Sequence, residues 1–75
     1  MISYKNLSGN SGVVAYESGT DYIKLRFRRN SKIYVYDASA PGAKHVERMK
    51  KLAAAGRGLA TYVSQNVKRN YSRTE

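Results

Sequence analysis

Lys24, Arg26, Arg28, Arg29 and Lys32 crowd into one short stretch, and the first three alternate with Ile23, Leu25 and Phe27. Cations at every second position share one face of an extended strand. Strand residues two apart lie about 6.6–7 Å from each other, so such a ladder can follow the phosphates of one nucleic-acid strand without bending it. Tyr22 falls on the same face, where a ring could stack on a base or sugar. Solubility and edge protection also account for charged strand residues, but three like charges with no acid nearby in the sequence repel one another. Two further clusters have simpler explanations. Lys44, Arg48 and Lys51 fall at i, i+4 and i+7, which makes a helix face and is commonly just solvated. Lys68, Arg69 and Arg73 lie where a helix would end, and cations there suit its dipole.

Catalytic chemistry has little to work with. The acids Glu17, Asp21, Asp37, Glu47 and Glu75 are scattered, with no pair at a spacing that suggests two-carboxylate acid–base catalysis. His45 stands alone beside Lys44, and a metal site would need further ligands. The absence of cysteine removes disulfides, thiolate metal sites and redox chemistry. No phosphate-binding glycine loop with its Lys-Ser/Thr is present. We therefore expect no catalytic residue, no metal, no cofactor and no small-molecule substrate.

The elements that must hold the basic ladder follow from periodicity. Residues 20–37, TDYIKLRFRRNSKIYVYD, read as a β-hairpin turning at 29–32, where Asn30 best tolerates a left-handed backbone. An even loop places Phe27 opposite Tyr34 and Leu25 opposite Tyr36, which makes both tyrosines core. An odd loop flips them onto the face of Lys24, Arg26 and Arg28 and builds an aromatic, basic platform. We favour the even loop, because burial is the commoner fate of alternating tyrosines in a small sheet. Residues 12–17, GVVAYE, form a preceding strand, with Val14 and Tyr16 on the side of Ile23 and Leu25. A helix then runs from Ser39 as N-cap, through Pro41 in its first turn, to Ala55, with Gly56 as C-cap. Val46, Met49, Leu52 and Ala53 make its apolar stripe, and Asp37 lies near its positive end. A second helix covers 59–71, with Leu59, Tyr62, Val63, Val67 and Tyr71 inward. Neither helix can bury its stripe alone, so both must cover the apolar face of the sheet.

The expected architecture is thus α+β, a three-stranded antiparallel meander followed by two short helices on one face. Residues 1–11 would be an irregular lead-in, with Leu7 pinned to the core, 12–71 the single domain, and 72–75 a frayed end. A chain of 75 residues buries only about 60–65% of its unfolded surface, so its stability margin is thin. Fourteen Lys and Arg against five Asp and Glu give a net charge of +9, which draws a small protein to polyanions. The sequence holds neither a secretory leader nor an apolar run long enough to span a bilayer, and the expected location is the cytoplasm, away from membranes.

The order of residues resembles the KTSC domain, a family named for its place at the C-terminus of some lysyl-tRNA synthetases and found also as small free-standing proteins. The likeness rests on Ala15-Tyr16-Glu17, Ile23-Lys24-Leu25-Arg26-Phe27, Tyr34-Val35-Tyr36 and Ala40-Pro41. It continues through Ala53-Ala54-Ala55, Gly58-Leu59-Ala60-Thr61-Tyr62 and Val67-Lys68-Arg69-Asn70-Tyr71, so it spans residues 11–71. The family's Ser-x-Gly stands here as Gly58-Leu59-Ala60, and its hairpin glycine is replaced by Arg29-Asn30-Ser31-Lys32. The resemblance implies the β-β-β-α-α order and, through the synthetases, RNA, with tRNA the first candidate.

The function expected from these readings is a non-catalytic module that binds RNA or DNA through phosphates. Lys24, Arg26, Arg28, Arg29 and Lys32 would carry it, with Tyr22 stacking and Arg48 and Lys51 secondary. The alternative is a protein-interaction module that docks on an acidic surface or accepts an added strand.

Overall fold

The computed structural model describes residues 1–5, 7, 12–28 and 30–75. Eight elements follow one another: β1 (Ile2–Ser3), β2 (Val13–Ser18), β3 (Tyr22–Phe27), β4 (Ile33–Asp37), α1 (Ala43–Ala55), α2 (Leu59–Tyr62), a π-helical turn (Val63–Val67) and β5 (Arg73–Thr74). The strands form one antiparallel sheet in the order β1-β2-β3-β4-β5. The architecture is α+β as expected, but the sheet has five strands rather than three.

The two added strands correct both termini. Ile2 pairs with Tyr16 and Ser3 with Ala15, and Tyr4 is buried with its hydroxyl accepting the Leu59 N–H at 3.3 Å. Ile2–Ser3 of the lead-in is therefore a strand next to the buried Tyr4, while residues 6 and 8–11 of it lie outside the described residues. Leu7, in contrast, is 57% exposed and not pinned to the core. At the other end, where a frayed terminus was expected, Arg73–Thr74 form β5. Arg73 pairs with Val35 and Thr74 with Tyr34, while Ile33 and Glu75 exchange both backbone hydrogen bonds, at 3.0 and 2.7 Å.

The central hairpin has the even parity that buries the tyrosines. Its register is shifted by two residues from the expected one: Leu25 faces Tyr34 and Ile23 faces Tyr36, so the loop is longer. Ile23, Leu25 and Tyr36 are 0–1% exposed, and burial pushes the Tyr36 hydroxyl pKa far above the ordinary tyrosine value, with Tyr34 and Tyr71 adding to the shift. In β2 an irregularity between Val13 and Ala15 changes the alternation, as a β-bulge does. Tyr16 faces Leu25 as expected, but Val13, not Val14, enters the core.

Val46, Met49 and Ala53 of α1 and Leu59, Val63 and Val67 beyond it close over this face. The start of α1 differs from expectation. Ser39 is not its N-cap, since Gly42 takes that place without a side-chain cap, and Pro41, after a cis peptide bond, lies outside the helix. The Asp37 carboxylate instead accepts the N–H groups of Ser39 and Ala40, at 2.9 and 3.3 Å, which holds the turn leaving the sheet. Gly56 caps the other end in the left-handed region, φ 78°.

The second helix stops at Val67, not Tyr71. Leu59, Val63 and Val67 recur every four residues and all three are buried, on one face of the helix. The last turn, Val63–Val67, is π-helical. Lys68 then adopts φ 55°, ψ −121°, and the Asn70 N–H donates to the Val67 carbonyl at 3.0 Å. These are the marks of a type II′ turn, whose first central position favours glycine. The turn sends Tyr71 back onto Tyr34 and Tyr36, with ring centroids at 4.9 and 6.2 Å.

Candidate nucleic-acid interface

The face of the sheet away from the helices carries Glu17, Lys24, Val35 and Arg73 side by side, set by the register of β2 to β5. Val35 is 1% exposed there, flanked in register by Lys24 and Arg73, whose aliphatic stems can cover it. A groove of about 430 Å³ opens on this face, lined by Asp21, Tyr22, Lys24, Asp37, Ser39 and Arg73 among others.

Lys24, the first rung of the expected ladder, is not available as expected. Its ammonium donates to Glu75 Oε1 at 2.9 Å and lies 4.0 Å from Glu17 Oε2. The hydrogen bond to Glu75 raises the Lys24 pKa, and the bonds from Lys24 and Arg73 hold the Glu75 carboxyl below its usual range. The sequence showed no acid beside the ladder because Glu17 arrives from the neighbouring strand and Glu75 from the far end of the chain. Tyr22 is also committed. Its hydroxyl donates to Glu17 at 3.2 Å, Lys24 Nζ sits 5.7 Å from its ring centroid, and the ring lies so close to Gly19 that a Cβ there would overlap it. A base stacking on Tyr22 would have to displace these contacts.

The other predicted residues fare differently. Arg26 is exposed and has no ion pair among the described residues. Arg28 is exposed at the end of β3, with its N–H donating to the Gly12 carbonyl at 2.7 Å. Lys32 is exposed beyond it, its N–H held by Asn30 Oδ1 at 2.9 Å. Asn30 in turn donates to the Tyr34 hydroxyl at 2.9 Å, which ties the loop to the core. Arg29 lies outside the described residues. Lys44, Arg48 and Lys51 line an open groove along α1 of about 380 Å³, and none has an ion pair among the described residues. Glu47, in the same groove, is drawn to Lys50 at 3.1 Å.

Acid placement explains the pattern. Glu17, Asp21 and Asp37 gather near the β2–β3 turn end of the sheet, where Tyr22 pairs with Asp37. Burial raises the Asp37 pKa, but the Ala40 and Ser39 N–H groups, Ser72 and the Arg73 guanidinium outweigh it and leave the carboxyl below its usual range. Lys24, Lys50 and Arg73 are each held by acids. Lys68 and Arg69 follow the π turn rather than ending a helix, and both are exposed. His45 accepts or donates a 2.7 Å hydrogen bond with the Tyr62 hydroxyl, a link between α1 and α2. Among the described residues no three His, Asp or Glu are grouped to hold a metal ion, and no helix is long and apolar enough to cross a membrane.

No known family, curated protein or solved structure matches the chain. The likeness to the KTSC pattern therefore assigns no residue a role.

Proposed function

We propose that the protein is a non-catalytic module of the cytoplasm that binds RNA or DNA through phosphate contacts. The observation that carries this reading is the separation of charge. The acids are spent on Lys24, Lys50 and Arg73 or stand at the β2–β3 turn end, while Arg26, Lys32, Arg48 and Lys51 are exposed without acidic partners among the described residues. The net charge of +9 is thus displayed rather than cancelled internally, and it attracts a polyanion irrespective of base sequence. Lys24 and Tyr22 move from the centre of the interface to its border, because a phosphate at Lys24 must compete with Glu75. The KTSC likeness makes tRNA the first RNA to try.

Purification in low salt tests the reading. We expect the protein to carry nucleic acid, read from the ratio of absorbance at 260 and 280 nm, and to release it in a high-salt wash. A clean protein at low salt that also retains no added tRNA or single strand would refute it. A protein partner is the second reading, favoured by the short edge strand β1, which leaves Ile2 61% exposed beside exposed Met1 and Leu7. A complex that survives nuclease would select it.

A further inference from the structure

The register places at one end of the sheet cations that are far apart in the chain. β1 runs from Ile2 opposite Tyr16, and the Tyr4 N–H donates to the Val14 carbonyl at 3.0 Å. Lys5 therefore emerges at the Val13 end of β2. Val13 pairs with Phe27, so Arg28 leaves β3 at that same end. Arg26 pairs with Ile33, so Lys32 enters β4 there too. From β1 to β4 is three strand spacings, about 14 Å.

The helix layer adds a fourth cation. The Gly56 carbonyl accepts the Leu7 N–H at 2.7 Å, and the Lys5 stem lies on Gly56, with its Cβ, Cγ and Cδ all within 3.3 Å of where a Gly56 Cβ would stand. Arg57 is the next residue, so it and Lys5 come together where helix and sheet layers meet. Lys5, Arg28, Lys32 and Arg57 are all exposed. Neither Lys5 nor Arg57 is marked by any repeat or spacing in the sequence, and only the fold brings them to the hairpin end.

The opposite end has the opposite sign. The β2–β3 turn and the exit of β4 carry Glu17, Asp21 and Asp37, about 17 Å away along a six-residue strand. Glu75 is the one acid backbone-paired near the basic end, beside Ile33, and its carboxylate is turned onto Lys24 and Arg73. Along the strands, Lys5, Arg28 and Lys32 thus stand at one end of the sheet and Glu17, Asp21 and Asp37 at the other.

We propose that the protein docks end-on, with a rim of Lys5, Arg28, Lys32 and Arg57 across the strand ends gripping the phosphate backbone of one nucleic-acid strand while the acidic turn points away. This rests on the nucleic-acid reading and names the surface and orientation for it. Three strand spacings suit a short run of consecutive phosphates on a single strand or on one strand of a duplex.

The test measures anisotropy of a labelled single strand and a labelled duplex against salt for three proteins. In K5Q/R57Q two rim cations become neutral while both stems remain. In K24Q/K50Q the same charge is removed from cations already paired with acids. The wild type is the third. We expect K5Q/R57Q to reduce the log–log salt slope by about 1.4–1.8 and to weaken binding on the order of ten-fold or more at 50 mM salt, with K24Q/K50Q near wild type. Thermal melts confirm that both variants fold, and R57Q alone, with an expected slope change of about 0.7–0.9, replaces the double variant if Lys5 proves structurally necessary. Equal losses in the two double variants, or an unchanged slope in K5Q/R57Q, overturn the end-on rim while leaving the nucleic-acid reading in place. Absence of binding by the wild type overturns both.

Discussion

Gly56→Ala tests the joint on which the rim is built. Gly56 closes α1 with φ 78°, and a Cβ there would stand 2.6 Å from the Lys5 Cβ. The left-handed conformation alone costs a residue with a Cβ about 1–2 kcal/mol. The clash adds to this, because the Lys5 Cβ is fixed to the backbone of a strand end and cannot swing aside as a side-chain tip can. Displacing that packed segment costs about 1–3 kcal/mol, as overpacking does elsewhere. A total of about 2–5 kcal/mol is a large part of the stability of a domain this size, roughly 4–11 kcal/mol, and lowers Tm by about 8–40 °C. Thermal and urea unfolding followed by circular dichroism read the effect. Lys5→Gly removes the opposing Cβ, so a double-mutant cycle with Gly56→Ala isolates the contact, and we expect a coupling of about 1 kcal/mol or more. A Gly56→Ala variant within about 0.5 kcal/mol of wild type, the size of an ordinary surface substitution, would refute the packing of Lys5 on Gly56 and with it the union of Lys5 and Arg57.

Three further outcomes follow from the same geometry. Lys68→Gly should raise stability by about 1 kcal/mol in urea unfolding, since it relieves a non-glycine residue of the first central position of a type II′ turn. Stability should fall in acid. Glu75 and Asp37 have lowered folded pKa values, so what they contribute is complete above the unfolded carboxyl values of about 4 and is lost as pH falls through the folded ones; hydrogen exchange at the Ile33 and Ser72 amides should accelerate first. Lys24→Gln should change the salt slope of nucleic-acid binding by less than about 0.3, whereas Lys32→Gln should change it by about 0.7–0.9, as one phosphate contact does; an equal effect at both positions would restore the open ladder that the strand alternation suggested.

The local order of this chain was legible wherever one period governs a segment. Ile23, Leu25 and Phe27 announce a strand, and Val46, Met49 and Ala53 a helix that ends at Gly56, because burial on one side imposes those periods. What the sequence concealed is non-local. Two-residue strands such as β1 and β5 have no period to show, and they form because Tyr4 and Tyr71 are drawn into the core on either side of the sheet. The end of the second helix was hidden because Lys68 sits where a turn of that type usually announces itself with glycine. The candidate site was half visible: Arg26 and Arg28 stand exposed as the alternation implies and Lys32 is exposed at the hairpin turn, while Lys24 is claimed by acids from β2 and from beyond β5. Lys5 and Arg57 carry no signal in one dimension, since only the Leu7–Gly56 hydrogen bond and the Lys5 stem bring them to the hairpin.

The salt dependence of wild-type binding tests the central claim most directly. Anisotropy on tRNA, a single strand and a duplex between 50 and 200 mM salt should give linear log–log plots with slopes of about −3 to −4, the value for four phosphate contacts. Binding that ignores salt, or no binding to any of the three at 50 mM, would contradict it.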